Sequence, residues 1–242
     1  MEKGFVIVTG GTRGIGKAIT NLLLVQGYGV VAVYKNDVGF DLRPVVGRLI
    51  IKKCDISDEE QRKSLFEELG NLQLNIIGLV NNAGVYPKEE TQEEYLGAFA
   101  TNVIAPYLLT KMLIEYRARW RLSGFGVVVN IGSTSALTGP TGSPMYASTK
   151  AAFSRLSEIA ASQFALELRI NTVHPGAVNT GMLLRVQESA QRYISQTPTR
   201  RITEPEEIAR AVLFFFENPD LNMTGGSIII DGGRTHDYRE RQ

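Results

Sequence analysis

Short runs rich in β-branched residues, at 5–9, 29–34, 49–54, 76–80, 126–131, 169–174 and 227–230, alternate with longer stretches of helical periodicity. The runs are almost continuously apolar, the pattern of strands covered on both faces, as in a parallel sheet. Helical patterns fall near 15–27, 58–70, 92–122, 146–168 and 205–217. Strands and helices in alternation, joined by right-handed crossovers, predict an α/β doubly wound parallel sheet with its ligand at the carboxyl ends of the strands. Ser57-Asp58-Glu59-Glu60 reads as a capping box, and Thr203-Glu204-Pro205 puts a proline where a helix start tolerates its missing N–H. Residues 35–48 carry two glycines and a proline, so a loop or single turn is expected there.

No Ser/Gly/Pro-rich or strongly charged linker divides the 242 residues, so one domain spanning 1–242 is expected. Its 43% hydrophobic content is enough for one large core. A formal charge of +1 argues against a nucleic-acid or anionic-membrane partner. Apolar runs such as 127–131 and 211–216 are too short to span a bilayer. The first residues read as a strand, not a signal peptide. The lone cysteine, Cys54, cannot form an intrachain disulfide, which fits a reducing, cytoplasmic location.

Two constellations carry chemistry. The run Thr9-Gly10-Gly11-Thr12-Arg13-Gly14-Ile15-Gly16 follows the first strand and opens a helix. Its Gly-x-x-x-Gly-x-Gly spacing differs from the commoner Gly-x-Gly-x-x-Gly fingerprint, but the physics is shared. Glycines let the backbone approach a pyrophosphate, and a helix N-terminus offers N–H donors. Taken alone, the loop also reads as an ordinary glycine-rich turn. The second constellation is Tyr146 and Lys150, at i and i+4 on one helix face, with Ser133 thirteen residues before the tyrosine. An adjacent ammonium is expected to favour the phenolate and lower the tyrosine pKa. A second Tyr-x-x-x-Lys, Tyr107 and Lys111, has Glu94 at the upstream position and reads as a packing residue on an amphipathic helix.

The ordered set Thr9–Gly16, Asn81-Asn82-Ala83-Gly84, Asn102, Ser133, Tyr146/Lys150 and Pro175-Gly176 resembles the short-chain dehydrogenase/reductase family, over nearly the whole chain through Asp231-Gly232-Gly233. The resemblance implies a Rossmann-like fold, a nicotinamide-dependent oxidoreductase and a homotetramer or homodimer. It implies catalytic roles for Asn102, Ser133, Tyr146 and Lys150, with Asn102 holding a proton-relay water. Cofactor contacts are implied at Gly10, Thr12, Arg13, Gly14, Ile15, Gly16, Tyr34, Lys35, Asp55, Ile56, Asn82, Ala83, Gly84, Tyr146, Lys150, Pro175, Gly176, Val178 and Thr180. Asp55 would touch the adenine ring, and Thr180 would lie near the carboxamide. Each of these strand-end residues also has a plain reading as a turn former.

NAD-specific members usually end the second strand with an acid; here Tyr34 and Lys35 stand there, with Arg13 aimed at the same region. A cation facing a 2′-phosphate contributes about 1.5–3 kcal/mol, so NADPH is the expected cofactor, with NAD the alternative. If the strand runs longer, Asp37 is the ribose acid instead. Ser133 would donate to a substrate carbonyl and Tyr146 would protonate the developing alkoxide. Tyr86, Ser135, Leu137, Pro140, Met182 and Leu183 suggest a moderately apolar pocket for a small carbonyl or alcohol, under a lid near 179–200. His174 and His236 offer no metal-ligand spacing, so no metal is expected. Arg117, Arg119 and Arg121 read as a solvated helix end, and Phe214-Phe215-Phe216 as core or subunit contact. The competing readings are an NAD-dependent alcohol dehydrogenase and a non-catalytic nucleotide-binding regulator on the same fold.

Overall fold

A computed structural model describes residues 3–36, 48–138, 143–181 and 190–237. Seven strands form one parallel sheet in the order β3-β2-β1-β4-β5-β6-β7. They are β1 (Phe5–Thr9), β2 (Gly29–Tyr34), β3 (Leu49–Lys53), β4 (Ile76–Asn81), β5 (Gly126–Ile131), β6 (Leu168–Pro175) and β7 (Ser227–Ile230). The helices are α1 (Gly14–Val25), α2 (Glu59–Asn71), α3 (Gln92–Phe99), α4 (Ala105–Arg119), α5 (Pro144–Gln163), α6 (Ala190–Gln196) and α7 (Pro205–Glu217). Successive strands step outward from β1 to β3, then return to β1's other side at β4. That reversal opens a crevice between the carboxyl ends of β1 and β4, where α/β sheets of this kind bind ligands.

The apolar strands serve two cores, one on each face of the sheet. Val6, Val8, Val30, Ala32, Val127 and Val129 face α1 and α7, with Ile208, Val212 and Phe215. Their neighbours Ile7, Val31, Val33 and Val128 face the other way, onto Leu65, Leu109, Leu113 and Ala160. This period of two explains why the runs look uniformly apolar in sequence. Phe215 and Phe216 are buried, as expected, while Phe214 is exposed. Tyr107 packs against the second core as an ordinary aromatic.

Several expectations need correction. The helix expected over 92–122 is three segments: α3, a π-helical turn at Ala100–Ile104, and α4. Pro106 has no N–H to return to the carbonyl of Asn102, four residues back, so the α ladder shifts to a wider register there. Together, Gln92–Arg119 have the length and hydropathy of a bilayer-spanning helix, although no apolar run predicted one. Leu109 and Leu113 are nevertheless fully buried inside this fold. The cap of α2 is Asp58, whose side chain accepts from the Gln61 amide. Ser57 turns back to Asp55 instead. The reciprocal capping box belongs to α7, between Glu204 and Glu207, with Pro205 in the first turn.

Arg117 is buried, not solvated. Its guanidinium donates to the carbonyls of Ile76, Ser123 and Gly124, at 2.8, 3.1 and 2.8 Å. It thereby ties the end of α4 to the start of β4 and the loop before β5. Replacing Arg117 by Ala strands three acceptors in a dry site and is expected to cost about 3 kcal/mol. The exposed Arg119→Ala is expected to change stability by no more than about 0.5 kcal/mol. Urea unfolding of the two variants checks the contrast, and equal effects would contradict it.

Candidate active site

At the carboxyl end of β1 the chain turns sharply into α1. Gly14 sits at φ +51°, in the left-handed region. A side chain on Gly16 would collide with the Gly10 carbonyl. Arg13 is the N-cap of α1 but makes no side-chain cap, and no acid lies in the first turn. The first-turn N–H groups of a helix have no intrahelical acceptors, so this end favours an anion. Thr12 is buried and Ile15 is partly buried against the core. Thr180 lies beside Gly14, its side chain 3.4 Å from where a Cβ there would stand.

Residues 81–86, just beyond and at the end of β4, contact each part of the site in turn. Asn81 donates to Asn130 Oδ1 across the sheet at 2.9 Å. Asn82 Nδ2 donates to the carbonyls of Thr9 and Gly10, at 2.8 and 3.2 Å. Thr9 Oγ1 accepts from the amides of Asn82 and Ala83. Gly84 lies close to both Asn102 Oδ1 and Lys150 Nζ. Val85 exchanges two bonds with the Asn102 side chain, at 2.8 and 2.9 Å. Tyr86 Oη accepts from the Ser143 amide at 2.8 Å.

Asn102 is 1% exposed and sits within the π turn. Its Nδ2 also donates to Thr149 Oγ1 at 3.0 Å, and Thr149 donates to the Tyr146 carbonyl at 2.8 Å. The π turn is thus bonded to α5. Ser143 caps α5 by accepting from the Tyr146 amide at 3.3 Å, with Pro144 next in the first turn. Thr9, Ser143 and Thr149 carry much of this bonding; the sequence placed Thr9 only at the head of the glycine run and gave the other two no role. Only Ser143-Pro144, a cap residue before a proline, carried a local signal.

Ser133, Tyr146 and Lys150 meet at the ends of β5 and α5. Ser133 Oγ accepts from the Ser135 amide at 3.1 Å, which leaves its own proton to point outward. The Ser133 side chain stands near enough to the Tyr146 phenol to lower its pKa. Lys150, 4% exposed, donates to the Ile131 carbonyl at 2.9 Å. Its Nζ stands 5.9 Å from the Tyr146 ring centroid. Burial pushes the Tyr146 phenol up to about 12, against the lowering effect of Ser133. Burial likewise pulls Lys150 down to about 8. The tyrosine is thus shifted up here, not down as the lysine led one to expect, and the ammonium is turned to a backbone carbonyl. His174 is buried behind this edge, its Nδ1 3.2 Å from the Ser133 carbonyl.

Other predicted residues fall around the same edge. Lys35 Nζ pairs with Asp55 Oδ2 at 2.6 Å. Burial would raise Asp55, but hydrogen bonds from Lys35 and Ser57 outweigh it and hold the carboxyl low. Tyr34 ends β2 and its carbonyl accepts from the Cys54 amide. The Ile56 side chain is committed to the core. Pro175 ends β6, and Gly176 donates to the Ile230 carbonyl at 2.9 Å. Val178 is buried and bridges to Thr203. Ser135 is half-buried and Leu137 is 47% exposed. The segment expected to form a lid contains α6, a helix the sequence did not signal. Arg234 from the C-terminal turn stacks over Tyr193 at 4.6 Å and donates to Gln196. Asp37, Pro140, Met182 and Leu183 lie outside the described residues. Among the described residues no cluster suits a metal.

A doubly wound parallel sheet with a glycine turn at its switch point and a Ser–Tyr–Lys set beside it defines a dinucleotide-fold oxidoreductase. Comparison with known proteins agrees. The family model described as Enoyl-(Acyl carrier protein) reductase matches residues 10–235. The chain is 31% identical to Carbonyl reductase family member 4 of Xenopus tropicalis, over 93% of this chain and 95% of that one. It is 31% identical to the 3-oxoacyl-[acyl-carrier-protein] reductase of Rattus norvegicus, over the same 93% and 95%. Among solved structures, a short chain dehydrogenase/reductase family protein aligns with a TM-score of 0.83 and 31% identity, covering 97% of this chain and 99% of that one. The chain belongs to the short-chain dehydrogenase/reductase family.

The two shifted groups give a pH signature. Lys150 titrates near 8 when folded and near its ordinary 10.5 when unfolded. Between those values the unfolded chain binds more protons, so this group's penalty is full at pH 7 and fades as pH rises. Lys150→Met removes the penalty. Relative to the native protein, the variant should be more favoured at pH 7 than at pH 9.5, by on the order of 2 kcal/mol. Tyr146, raised to about 12, acts mainly above that range. Urea unfolding at both pH values checks this, and a pH-independent difference would contradict it.

Proposed function

We infer that the protein reduces a carbonyl to a secondary alcohol with NADPH, Tyr146 giving the proton to oxygen. The observation that carries this is the convergence of Ser133, Tyr146 and the buried Lys150 at one sheet edge, with Ser133 near enough to act on the Tyr146 phenol. The donors present suit a dinucleotide. The acid-free, uncapped start of α1 fits a pyrophosphate, and Lys150 keeps two further N–H donors beyond its bond to Ile131 for ribose hydroxyls. A bound nicotinamide supplies the hydride to carbon.

The chain's own groups handle the oxygen. Ser133, its lone pair engaged by the Ser135 amide, points its proton at the carbonyl oxygen and polarises it. Tyr146, kept protonated by burial, passes its proton to that oxygen as charge develops there. The N-terminal dipole of α5 then stabilises the phenolate left behind. Asn102, locked between Val85 and Thr149, holds the π turn against α5 so that this geometry persists. The named relatives, a carbonyl reductase and a 3-oxoacyl reductase, support a ketone or β-ketoacyl substrate.

The NADPH preference rests on Lys35, which stands at the carboxyl edge of β2 and β3, exposed to solvent and paired with Asp55. A 2′-phosphate there would share a lysine already positioned by an acid. On titration followed by reduced-nicotinamide fluorescence, NADPH should bind more tightly than NADH. Lys35→Ala should weaken NADPH about tenfold and leave NADH nearly unchanged. Tighter binding of NADH would contradict the preference. Tyr146→Phe should lower turnover by about 10²-fold or more while keeping the cofactor affinity.

A further inference from the structure

Helix α5 begins with an incomplete cap. In a capping box the N-cap serine accepts from the third helical residue, whose Glu or Gln side chain returns a bond to the serine's own amide. Here Ser143 accepts from the amide of that third residue, but the residue is Tyr146. A tyrosine lacks the carboxylate or amide that closes such a box. Tyr86, from the segment after β4, supplies the return bond instead: its Oη accepts from the Ser143 amide at 2.8 Å. The ring of Tyr86 lies 5.0 Å from that of Tyr146, tilted by 39°. Tyr86 therefore grips the first turn of α5 by its cap and covers the tyrosine's ring.

We propose that Tyr86 is a positioning residue for the reaction, fixing the Tyr146 phenol against Ser133 by completing the α5 cap from another segment. The inference rests on the reading of Tyr146 as proton donor. Tyr86 follows Val85, which is bonded to Asn102 through both its amide and its carbonyl. The segment that grips Tyr146's turn is thus itself anchored to the π turn, and the hold is rigid at both ends. Around the phenol stand Lys150 from its own helix, Tyr86 from the segment after β4, and Ser133 from the turn after β5, with His174 of β6 behind Ser133. The phenol of Tyr86 also raises that of Tyr146. Loss of the Tyr86 hydroxyl should loosen the turn, admit water and make Tyr146 easier to ionise.

The test is Tyr86→Phe, which keeps the ring and its packing, assayed for NADPH-dependent carbonyl reduction. The expected result is a kcat about tenfold lower, with KM and cofactor Kd within about twofold of native. A kcat within about twofold of native, or a KM or cofactor Kd that worsens as far as kcat falls, would overturn the proposal, because a merely structural loss does not fall on kcat alone. Tyr146→Phe run alongside separates the two readings. If it is inactive and Tyr86→Phe keeps the native kcat, only the role of Tyr86 fails. If it retains turnover, the assignment of Tyr146 as donor fails and the role of Tyr86 fails with it.

Discussion

Thr9 and Asn82 join the ends of β1 and β4 where the strand order reverses. Thr9 Oγ1 donates to the Val80 carbonyl and accepts from the amides of Asn82 and Ala83. Asn82 donates back to the carbonyls of Thr9 and Gly10. Two parallel strands leaving a switch point have no partner for these last backbone groups, and a buried unpaired amide or carbonyl costs about 1–3 kcal/mol. The side chains of one threonine and one asparagine meet that need. In doing so they fix the glycine turn, which opens α1, relative to the segment that runs on to Asn102, Lys150 and Tyr146. The two ends of the site, one suited to phosphate and one to proton transfer, are therefore set by the same few bonds.

Desolvation, more than pairwise charge, sets the chemistry at the second end. Tyr146 and Lys150 are shifted toward their neutral forms, the tyrosine upward and the lysine downward. Had the ammonium faced the phenol directly, Coulomb attraction would have favoured the charged pair. The Ile131 carbonyl claims one lysine proton, and α5's first turn keeps the phenol beside Ser133. The result is a phenol held toward its neutral form beside a hydroxyl. Asp55 and Lys35 at the far end behave oppositely, because hydrogen bonds to the carboxylate outweigh its burial. One edge of the sheet thus carries an ion pair near the second strand and, near the fifth, a phenol and an ammonium both shifted toward their neutral forms.

Much of this was legible in the sequence because buried strands announce themselves. The runs at 5–9, 29–34, 126–131 and 227–230 match β1, β2, β5 and β7 residue for residue. Each is an apolar run with turn formers nearby, so propensity and burial agree. The break in the helix over 92–122 was hidden, since apolar periodicity continues through the π turn and only Asn102 and Pro106, four apart, mark it. The spacing of Tyr146 and Lys150 gave a common helix face but not what the ammonium faces, because its partner Ile131 is nineteen residues away. Arg117 looked like a surface cation for the same reason: its Ile76 partner is forty-one residues distant. The Tyr86 contact with Ser143 likewise spans fifty-seven residues and leaves no local pattern. Local chemistry was readable; which groups meet across the sheet edge was not.

The central claim is that this edge moves a hydride to carbon while Tyr146 delivers a proton to oxygen. The most direct measurement uses NADPH with deuterium at both C4 positions, incubated with the protein and a panel of ketones and β-ketoacyl thioesters. Mass spectrometry of the products should show an alcohol carrying one deuterium at the former carbonyl carbon, with no label passing to solvent. Cofactor binding without deuterium transfer to any carbonyl in the panel would contradict the account and favour a nucleotide-binding protein that performs no reduction.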